Sequence, residues 1–181
     1  LYVGTTNGIS LLKRGADGQW KAETQLLGGY HICSLSIEPA TGTMLVGTHN
    51  GGFAVSTDQG ATWEFRNEGL AATNVFSVAS SKVGDEIRVY CGIEPAHLYV
   101  SKDFGKSWTE LDGLRNAPNI DDWTFPPPPH EAHVKHIIFD PSEPETIYAC
   151  VEQGELLRST DGGVTWEDML SRAGVCDEAE G

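Results

Sequence analysis

The residues best suited to chemistry are histidines and glutamates at matching positions of a repeat. When similar segments are aligned, a strand start holds His31, Asn74 and His133, and a following turn holds His49, Glu94 and Glu152. Proteins use imidazole and carboxylate groups to transfer protons and to bind divalent metals such as zinc, manganese or iron. We therefore treat both sets as candidate site residues, provided that the fold brings them together.

These residue types suggest three roles. Glu94, Glu152 and His133 are candidate catalytic residues, because a glycosidase needs two carboxyl groups about 5 to 10 Å apart. The same alignment makes three residues candidates for ligand binding: His31, His49 and Asn74. A divalent metal is an open possibility at His31, His49 and His133. Polar side chains in a hydrated channel need no ligand, so a structural role is the alternative.

Short runs rich in Val, Ile, Tyr and Trp must position these side chains. Four such runs, separated by Gly, Pro, Asp or Asn, make up each of the units at about 31–73, 74–115 and 133–170. Residues 1–30 form a partial unit, with Thr6 at the turn position. Four strands in roughly 45 residues is the period of a β-propeller blade. The sequence predicts one all-β domain over residues 1–181, with about three full blades and one partial blade.

Each full unit also contains the motif Ser-x-Asp-x-Gly-x-Thr/Ser-Trp. Its Asp can accept hydrogen bonds from turn amides, its Gly adopts backbone angles that other residues resist, and its Trp can pack between blades. We interpret the motif as structural rather than catalytic, because copies around a rim cannot converge. Its residues are Ser56, Asp58, Gly60, Trp63, Ser101, Asp103, Gly105, Trp108, Ser159, Asp161, Gly163 and Trp166.

These motifs resemble Asp-box (BNR) repeats, and residues 1 to about 170 resemble the WD40/YVTN/BNR-like group of bacterial propellers. Such boxes occur in sialidase-like propellers, sortilin-type receptors, xyloglucanase-type glycosidases and a photosystem assembly factor. The resemblance implies a propeller of six or seven blades. We therefore expect this segment to associate with the rest of a propeller or with a second copy, because unpaired strand edges promote pairing. The resemblance does not assign a function.

Strand direction predicts where a site would lie. The boxes are turns between the third and fourth strands, so the candidate histidines and glutamates belong to the opposite face, around the mouth of a central channel. Loops on a rigid scaffold are the usual place for function. His97 lies near the same face.

An insertion at residues 115–132 enters that face and carries four consecutive prolines, which predict a stiff polyproline II segment. Trp123 and Phe125 are candidate ligand-binding aromatics, since aromatic rings stack on sugars. Charge and further imidazole would come from four neighbours: Asp121, Asp122, His130 and Glu131. The alternative is a loop that covers one blade edge.

Composition excludes some classes of function. The chain has 12 Lys and Arg against 26 Asp and Glu, a net charge of −14, which disfavours binding to nucleic acid or to an anionic membrane. No apolar run approaches the length of a transmembrane helix. We favour a soluble, cytoplasmic protein, although the compartment stays open because a lost leader would leave no trace. Four cysteines without paired spacing predict free thiols: Cys33, Cys91, Cys150 and Cys176.

The sequence leaves two functional hypotheses. In the first, a small-molecule or glycan ligand binds at the channel mouth, with glycoside hydrolysis as an open extension. In the second, a non-catalytic propeller binds a protein partner or supports assembly. Convergent His and Glu side chains in a concave mouth would favour the first, and an exposed apolar patch elsewhere would favour the second.

Overall fold

The structure is a computed structural model that describes residues 1–170. Its strands form four antiparallel sheets, each in chain order. Sheet 1 contains β1 (Tyr2–Thr5), β2 (Gly8–Arg14) and β3 (Trp20–Leu26). Sheet 2 contains β4 (His31–Ile37), β5 (Met44–His49), β6 (Gly52–Ser56) and β7 (Glu64–Phe65). Sheet 3 contains β8 (Asn74–Val83), β9 (Glu86–Glu94), β10 (His97–Ser101) and β11 (Thr109–Glu110). Sheet 4 contains β12 (Val134–Phe139), β13 (Ile147–Val151), β14 (Leu156–Ser159) and β15 (Glu167–Asp168).

This architecture confirms the predicted all-β fold of blade-like sheets, three with four strands and the first with three. The first strands of successive sheets, β1, β4, β8 and β12, contact one another in turn. These strands therefore form the common inner edge at which the sheets meet. Two short 3₁₀ helices, Asp112–Asn116 and Ile120–Asp122, lie in the connection before β12. The division into a single domain of residues 1–181 stays a prediction.

The hydrophobic core lies between the sheets. Consecutive residues of a strand point to opposite faces, and β5 shows the result. Val46 packs into the cluster between sheets 1 and 2 with Ile9, whereas its neighbour Leu45 packs into the cluster between sheets 2 and 3 with Val89. Both faces of sheet 2 are covered, so β5 and β6 are apolar without alternation and almost fully buried.

Glycines in the second strands let the sheets approach closely. A Cβ at Gly47 would lie 2.7 Å from the backbone oxygen of Val75, in the inner strand of the next sheet. Gly92 occupies the corresponding place in sheet 3, where a Cβ would lie 2.3 Å from Ser77 Oγ and 2.6 Å from Val134 Cβ. Any side chain at either position would push neighbouring sheets apart at their inner edge.

The structure of residues 1–170 bears on two expectations from the sequence, one about membrane-spanning helices and one about free cysteines. None of their helices has the length and apolar character needed to cross a membrane. Cys33, Cys91 and Cys150 are free thiols, as predicted, and burial raises the pKa of the Cys91 thiol well above its ordinary value. Cys176 lies outside the described residues.

Candidate functional site

The two aligned sets of residues meet at the same end of each sheet. His31 at the start of β4 is paired with His49 at the end of β5, and Asn74 is paired in the same way with Glu94. In sheet 4, the Glu152 N–H donates a 3.1 Å hydrogen bond to the His133 carbonyl. The same strand pairing therefore places a His or Asn next to a His or Glu in each of sheets 2, 3 and 4.

His133 joins sheets 3 and 4. Its Nε2 lies 2.8 Å from Glu152 Oε2, and its Nδ1 lies 3.5 Å from Glu94 Oε2. The Asn74 side-chain amide donates a 3.2 Å hydrogen bond to the other oxygen of Glu94. Only 1% of the His133 side chain is exposed. A buried imidazole is thus held between carboxylates from two neighbouring sheets.

His31 and His49 are connected to this centre but are more open to solvent. Their ring centroids are 6.0 Å apart, and His49 Nδ1 lies 2.8 Å from the Asn50 amide nitrogen. The Asn50 backbone N–H donates a 3.0 Å hydrogen bond to the side-chain oxygen of Asn74. The contacts therefore run from sheet 2 through sheet 3 to His133.

Three inner-edge residues that the sequence alignment did not single out also lie here. The pairing of β4, β8 and β12 with their neighbours shifts by one residue, and the skipped residues are Cys33, Phe76 and Lys135. Such β-bulges commonly redirect a side chain near a functional site. All three are the third residue of their aligned segments, HIC, NVF and HVK, so the alignment already contained the signal.

Two of the bulged side chains, those of Phe76 and Lys135, contact the buried imidazole or one of its carboxylates. The Phe76 ring stacks on His133 with centroids 3.9 Å apart, and Lys135 Nζ lies 5.7 Å from the Phe76 centroid. Lys135 Nζ is also 2.9 Å from Glu152 Oε2, and this contact, more than the one with His133, lowers the pKa of Glu152. Glu152 is therefore an ionised partner of Lys135 rather than a proton donor at neutral pH.

The position of the His133 ring between two carboxylates matters for both hydrolysis and metal binding. The His133 ring fills the space between the carboxylates of Glu94 and Glu152, where a glycosidic oxygen and water would have to lie. Within residues 1–170, no group of three or more His, Cys, Asp or Glu is placed to hold a metal ion. A divalent metal at His31, His49 and His133 thus stays a prediction of the sequence.

The insertion packs onto this centre through its aromatic residues. The Phe125 ring meets His133 edge-on, with centroids 5.0 Å apart. Trp123 is packed against the core between sheets 3 and 4, and its Nε1 is buried without a hydrogen-bond partner in the described chain.

The polyproline II prediction for the four prolines is wrong. The His130 N–H donates a 2.9 Å hydrogen bond to the Pro127 carbonyl, and the Phe125 N–H donates one of 3.2 Å to the His130 carbonyl. The two ends of the segment are also joined to each other, since His130 Nδ1 lies 3.0 Å from the Phe125 carbonyl oxygen, and Phe125 packs on His133. The prolines form an exposed turn rather than a rigid arm.

A cleft of 280 Å³ lies between the insertion and the turn that follows Glu94. Its apolar walls include Ala96, Ile120 and Trp123, and its polar groups are His97, Arg115, His130 and Glu131. Asp121 and Asp122, which the sequence predicted to add charge beside the aromatic residues of the insertion, are not part of its lining. The cleft borders the His133 centre, since Ala132 also lines it.

A carboxylate in β11 organises the polar side of the cleft. Glu110 Oε1 lies 2.6 Å from His97 Nδ1 and accepts a 2.7 Å hydrogen bond from Arg115 Nε. Arg115 Nη2 donates a 2.6 Å hydrogen bond to the second oxygen of Glu110. The repeat alignment did not indicate Glu110, because the contact of Glu110 with Arg115 depends on the insertion that carries Arg115.

The Asp boxes lie at the opposite ends of the sheets and act as turns. In the second box, Asp103 accepts hydrogen bonds from Ser107 N–H and Oγ at 3.0 and 2.7 Å, and Gly105 N–H donates to Ser101 Oγ at 2.7 Å. Trp108 packs edge-on against Phe53 of the preceding sheet, with ring centroids 5.0 Å apart. Asp58 and Asp161 make the same contacts with Thr62 and Thr165.

Comparisons with known structures place the fold among propellers. The structure of YCF48 bound to D1 peptide is 18% identical, has a TM-score of 0.64, and is matched over 94% of this chain and 50% of its own. A GH74 enzyme from Niastella koreensis is 20% identical, with a TM-score of 0.59 over 91% of this chain and 27% of its own. An ancestral GH74 enzyme is 19% identical, with a TM-score of 0.58 over 93% and 22%. The chain spans half or less of these proteins.

Sequence comparison identifies the repeat through a family model. A search of curated proteins finds no significant match. The family model described as BNR/Asp-box repeat matches residues 54–65, 99–110 and 157–168, which are the three boxes. The chain therefore carries three BNR/Asp-box repeats on an all-β fold of propeller blades.

Proposed function

We propose that this chain is a ligand-binding propeller segment that takes a glycan in the cleft beside His133. The observation that carries the proposal is the lining of the 280 Å³ cleft, in which the aromatic Trp123 faces a space shared with Arg115, His97 and Glu131. Sugars need this combination, because one face of the ring is apolar while its hydroxyls need both donors and acceptors. The volume is just below the range of about 300 to 1,000 Å³ that is usual for small-ligand pockets, which suits a ligand of one or two sugar rings.

The proposal favours binding over hydrolysis. Both nitrogens of His133 face carboxylates, and the ring separates Glu94 from Glu152, so these two groups do not flank an open space. Lys135 keeps Glu152 ionised, which removes it as a general acid. We therefore expect bound oligosaccharides to remain uncleaved, although GH74 enzymes have similar folds.

The alternative is a scaffold that binds a protein. It is supported by the likeness to YCF48, whose structure contains a bound peptide. The exposed large apolar side chains include Trp20, Ile138 and Val164. The others in residues 1–170 are Leu1, Val3, Ile37 and Leu156, and the whole set is spread over sheets 1, 2 and 4 and the third Asp box, whereas the cleft is one concave site. The glycan proposal therefore fits the described surface better.

The proposal is tested by titrating the chain with neutral cello-, xylo-, manno- and galacto-oligosaccharides, followed by calorimetry and by NMR of the indole N–H groups. We expect one series to bind and Trp123→Ala to weaken binding by about tenfold, the order of one aromatic contact. Trp20→Ala is the matched control, because Trp20 is 52% exposed on β3, far along the chain from the cleft. Absence of binding throughout, or equal effects of the two variants, would contradict the proposal.

A further inference from the structure

Glu110 holds two side chains of the cleft in one arrangement. His97 and Arg115 both contact the same carboxylate oxygen, Oε1, at 2.6 and 2.7 Å, so their polar ends lie side by side. The side chains of His97 and Glu110 are 23% and 21% exposed, whereas that of Arg115 is 55% exposed. His97 and Arg115 line the cleft, whereas Glu110, which orients them, is not part of its lining.

The charge of Glu110 determines which nitrogen of a neutral His97 carries the hydrogen. Burial by itself would raise the pKa of this carboxyl group, but the hydrogen bonds from Arg115 and His97 outweigh burial and lower it. An ionised carboxylate can only accept, so the hydrogen of a neutral His97 is on Nδ1. Its Nε2 then presents a lone pair. No hydrogen bond joins this Nε2 to another group within residues 1–170.

Arg115 supplies the complementary group. Its Nε and Nη2 are occupied by Glu110, whereas Nη1 has no hydrogen-bond partner among the described residues. A guanidinium group has no acceptor and remains charged. A fixed donor therefore lies beside a fixed acceptor at the cleft, with the Trp123 ring in the same lining.

We infer that the cleft selects neutral sugars that present adjacent hydroxyl groups, and discriminates against sugar acids. One hydroxyl would donate to His97 Nε2 while its neighbour accepts from Arg115 Nη1. Each hydroxyl can both donate and accept, whereas a carboxylate has only lone pairs, so the carboxylate of a sugar acid could not take the place of the hydroxyl that donates to His97 Nε2. This inference rests on the proposed glycan function and makes Glu110 a positioning residue.

Negative charge around the cleft also disfavours the binding of sugar acids. Glu131 also lines the cleft and carries a carboxylate with no ion pair in the described chain. The net charge of −14 adds a repulsive field for anions. The charge of Arg115, which would otherwise attract an acid, is balanced by the Glu110 carboxylate, to which Arg115 donates two hydrogen bonds.

Two measurements on the full chain test this inference. The first is the tautomer of His97, read from long-range ¹H–¹⁵N correlations, which needs no ligand. We expect hydrogen on Nδ1 in the parent chain and a loss of this preference in Glu110→Ala. The second is NMR titration with the matched pairs galactose and galacturonate, and glucose and glucuronate. We expect the neutral sugar of at least one pair to bind at least about tenfold more tightly than its acid.

Glu110→Gln and Glu64→Gln provide the matched comparison. Glu64 also lies on an outer strand and pairs with an arginine, Arg66, but it is outside the cleft. We expect Glu110→Gln to weaken neutral-sugar binding about tenfold, as for one charged hydrogen bond, and Glu64→Gln to leave it unchanged. Equal effects of the two variants would overturn the role of Glu110.

The outcomes separate the two ideas. If sugars bind but galacturonate and glucuronate bind as tightly as their neutral partners, the selectivity inference fails and the glycan function stands. If His97 carries hydrogen on Nε2 in the parent chain, the inference also fails. If no neutral or acidic sugar binds, the glycan function and the inference fail together.

Discussion

The Ser77 hydroxyl donates a 2.7 Å hydrogen bond to the Val134 carbonyl and so ties the inner strand of sheet 3 to that of sheet 4. The contact is buried and lies next to the Lys135 bulge. Sheets 2 and 3 have a related joint, in which the Val78 N–H donates to Ser34 Oγ at 3.1 Å. These serines set the spacing of the inner strands, and hence the distances within the His133 centre.

Ser77→Ala should lower the free energy of unfolding by about 1 to 3 kcal/mol, because the buried Val134 carbonyl loses a donor. Ser81→Ala on the same strand is the control, since Ser81 is partly exposed and makes no side-chain hydrogen bond in the described chain. Urea denaturation of both variants measures the difference. Equal midpoints would show that the joint between sheets contributes nothing.

Gly105→Ala should destabilise the fold more than Gly84→Ala. Both glycines have positive φ, +84° and +61°, so alanine strains both turns by about 1 kcal/mol or more. At Gly105 the new Cβ would also lie 2.5 Å from Phe53 Cε1, whereas at Gly84 nothing lies within 4 Å. Thermal unfolding followed by circular dichroism compares them. A loss at Gly84 as large as that at Gly105 would mean that the contact with Phe53 is unimportant.

The Asp boxes should make stability depend on pH in acid. Burial alone would raise the pKa of Asp103, but hydrogen bonds from the Ser107 side chain and N–H lower it from 3.8 to about 2. A folded-state pKa below the unfolded value stabilises the fold above pH about 3.8, and this contribution is lost as pH falls towards 2. Asp103→Asn should therefore be less stable than the parent at pH 7, and the gap should narrow between pH 4 and 2. Urea midpoints across this range provide the measurement, and a constant gap would contradict the assignment.

Metal analysis can decide the sequence prediction for His31, His49 and His133. We expect the purified chain to hold no stoichiometric zinc, manganese or iron, because both nitrogens of His133 already face carboxylates. Elemental analysis of the parent chain beside His133→Ala makes the comparison. Stoichiometric metal in the parent that disappears in the variant would instead support a metal site.

The sequence predicts the fold well because the propeller signal is local. Each box contains its own turn chemistry, as in the hydrogen bonds between Asp103 and Ser107, so three copies identify three blades without knowledge of their packing. The strand-start histidines could also be aligned, because pairing within a sheet repeats from blade to blade. His31 opposite His49 is such a pair.

Contacts that involve the insertion or two sheets were much harder to predict. The link between Glu110 and His97 exists within one sheet, but its role depends on Arg115, which lies in an insertion with no equivalent in other blades. The stacking of Phe76 on His133 likewise depends on how sheets 3 and 4 meet. The polyproline II prediction failed because hydrogen bonds across the turn, between Phe125 and His130, outweighed the intrinsic preference of the prolines.

The bulged position of the inner strands has an evolutionary consequence. Cys33, Phe76 and Lys135 occupy it in three sheets, although one is a thiol, one an aromatic ring and one an amine. A bulged residue is left out of the strand ladder, so its side chain can be replaced with little disturbance to the neighbouring hydrogen bonds. Gene duplication of blades, followed by independent mutation at this one codon in each, could diversify the inner surface while leaving the scaffold intact.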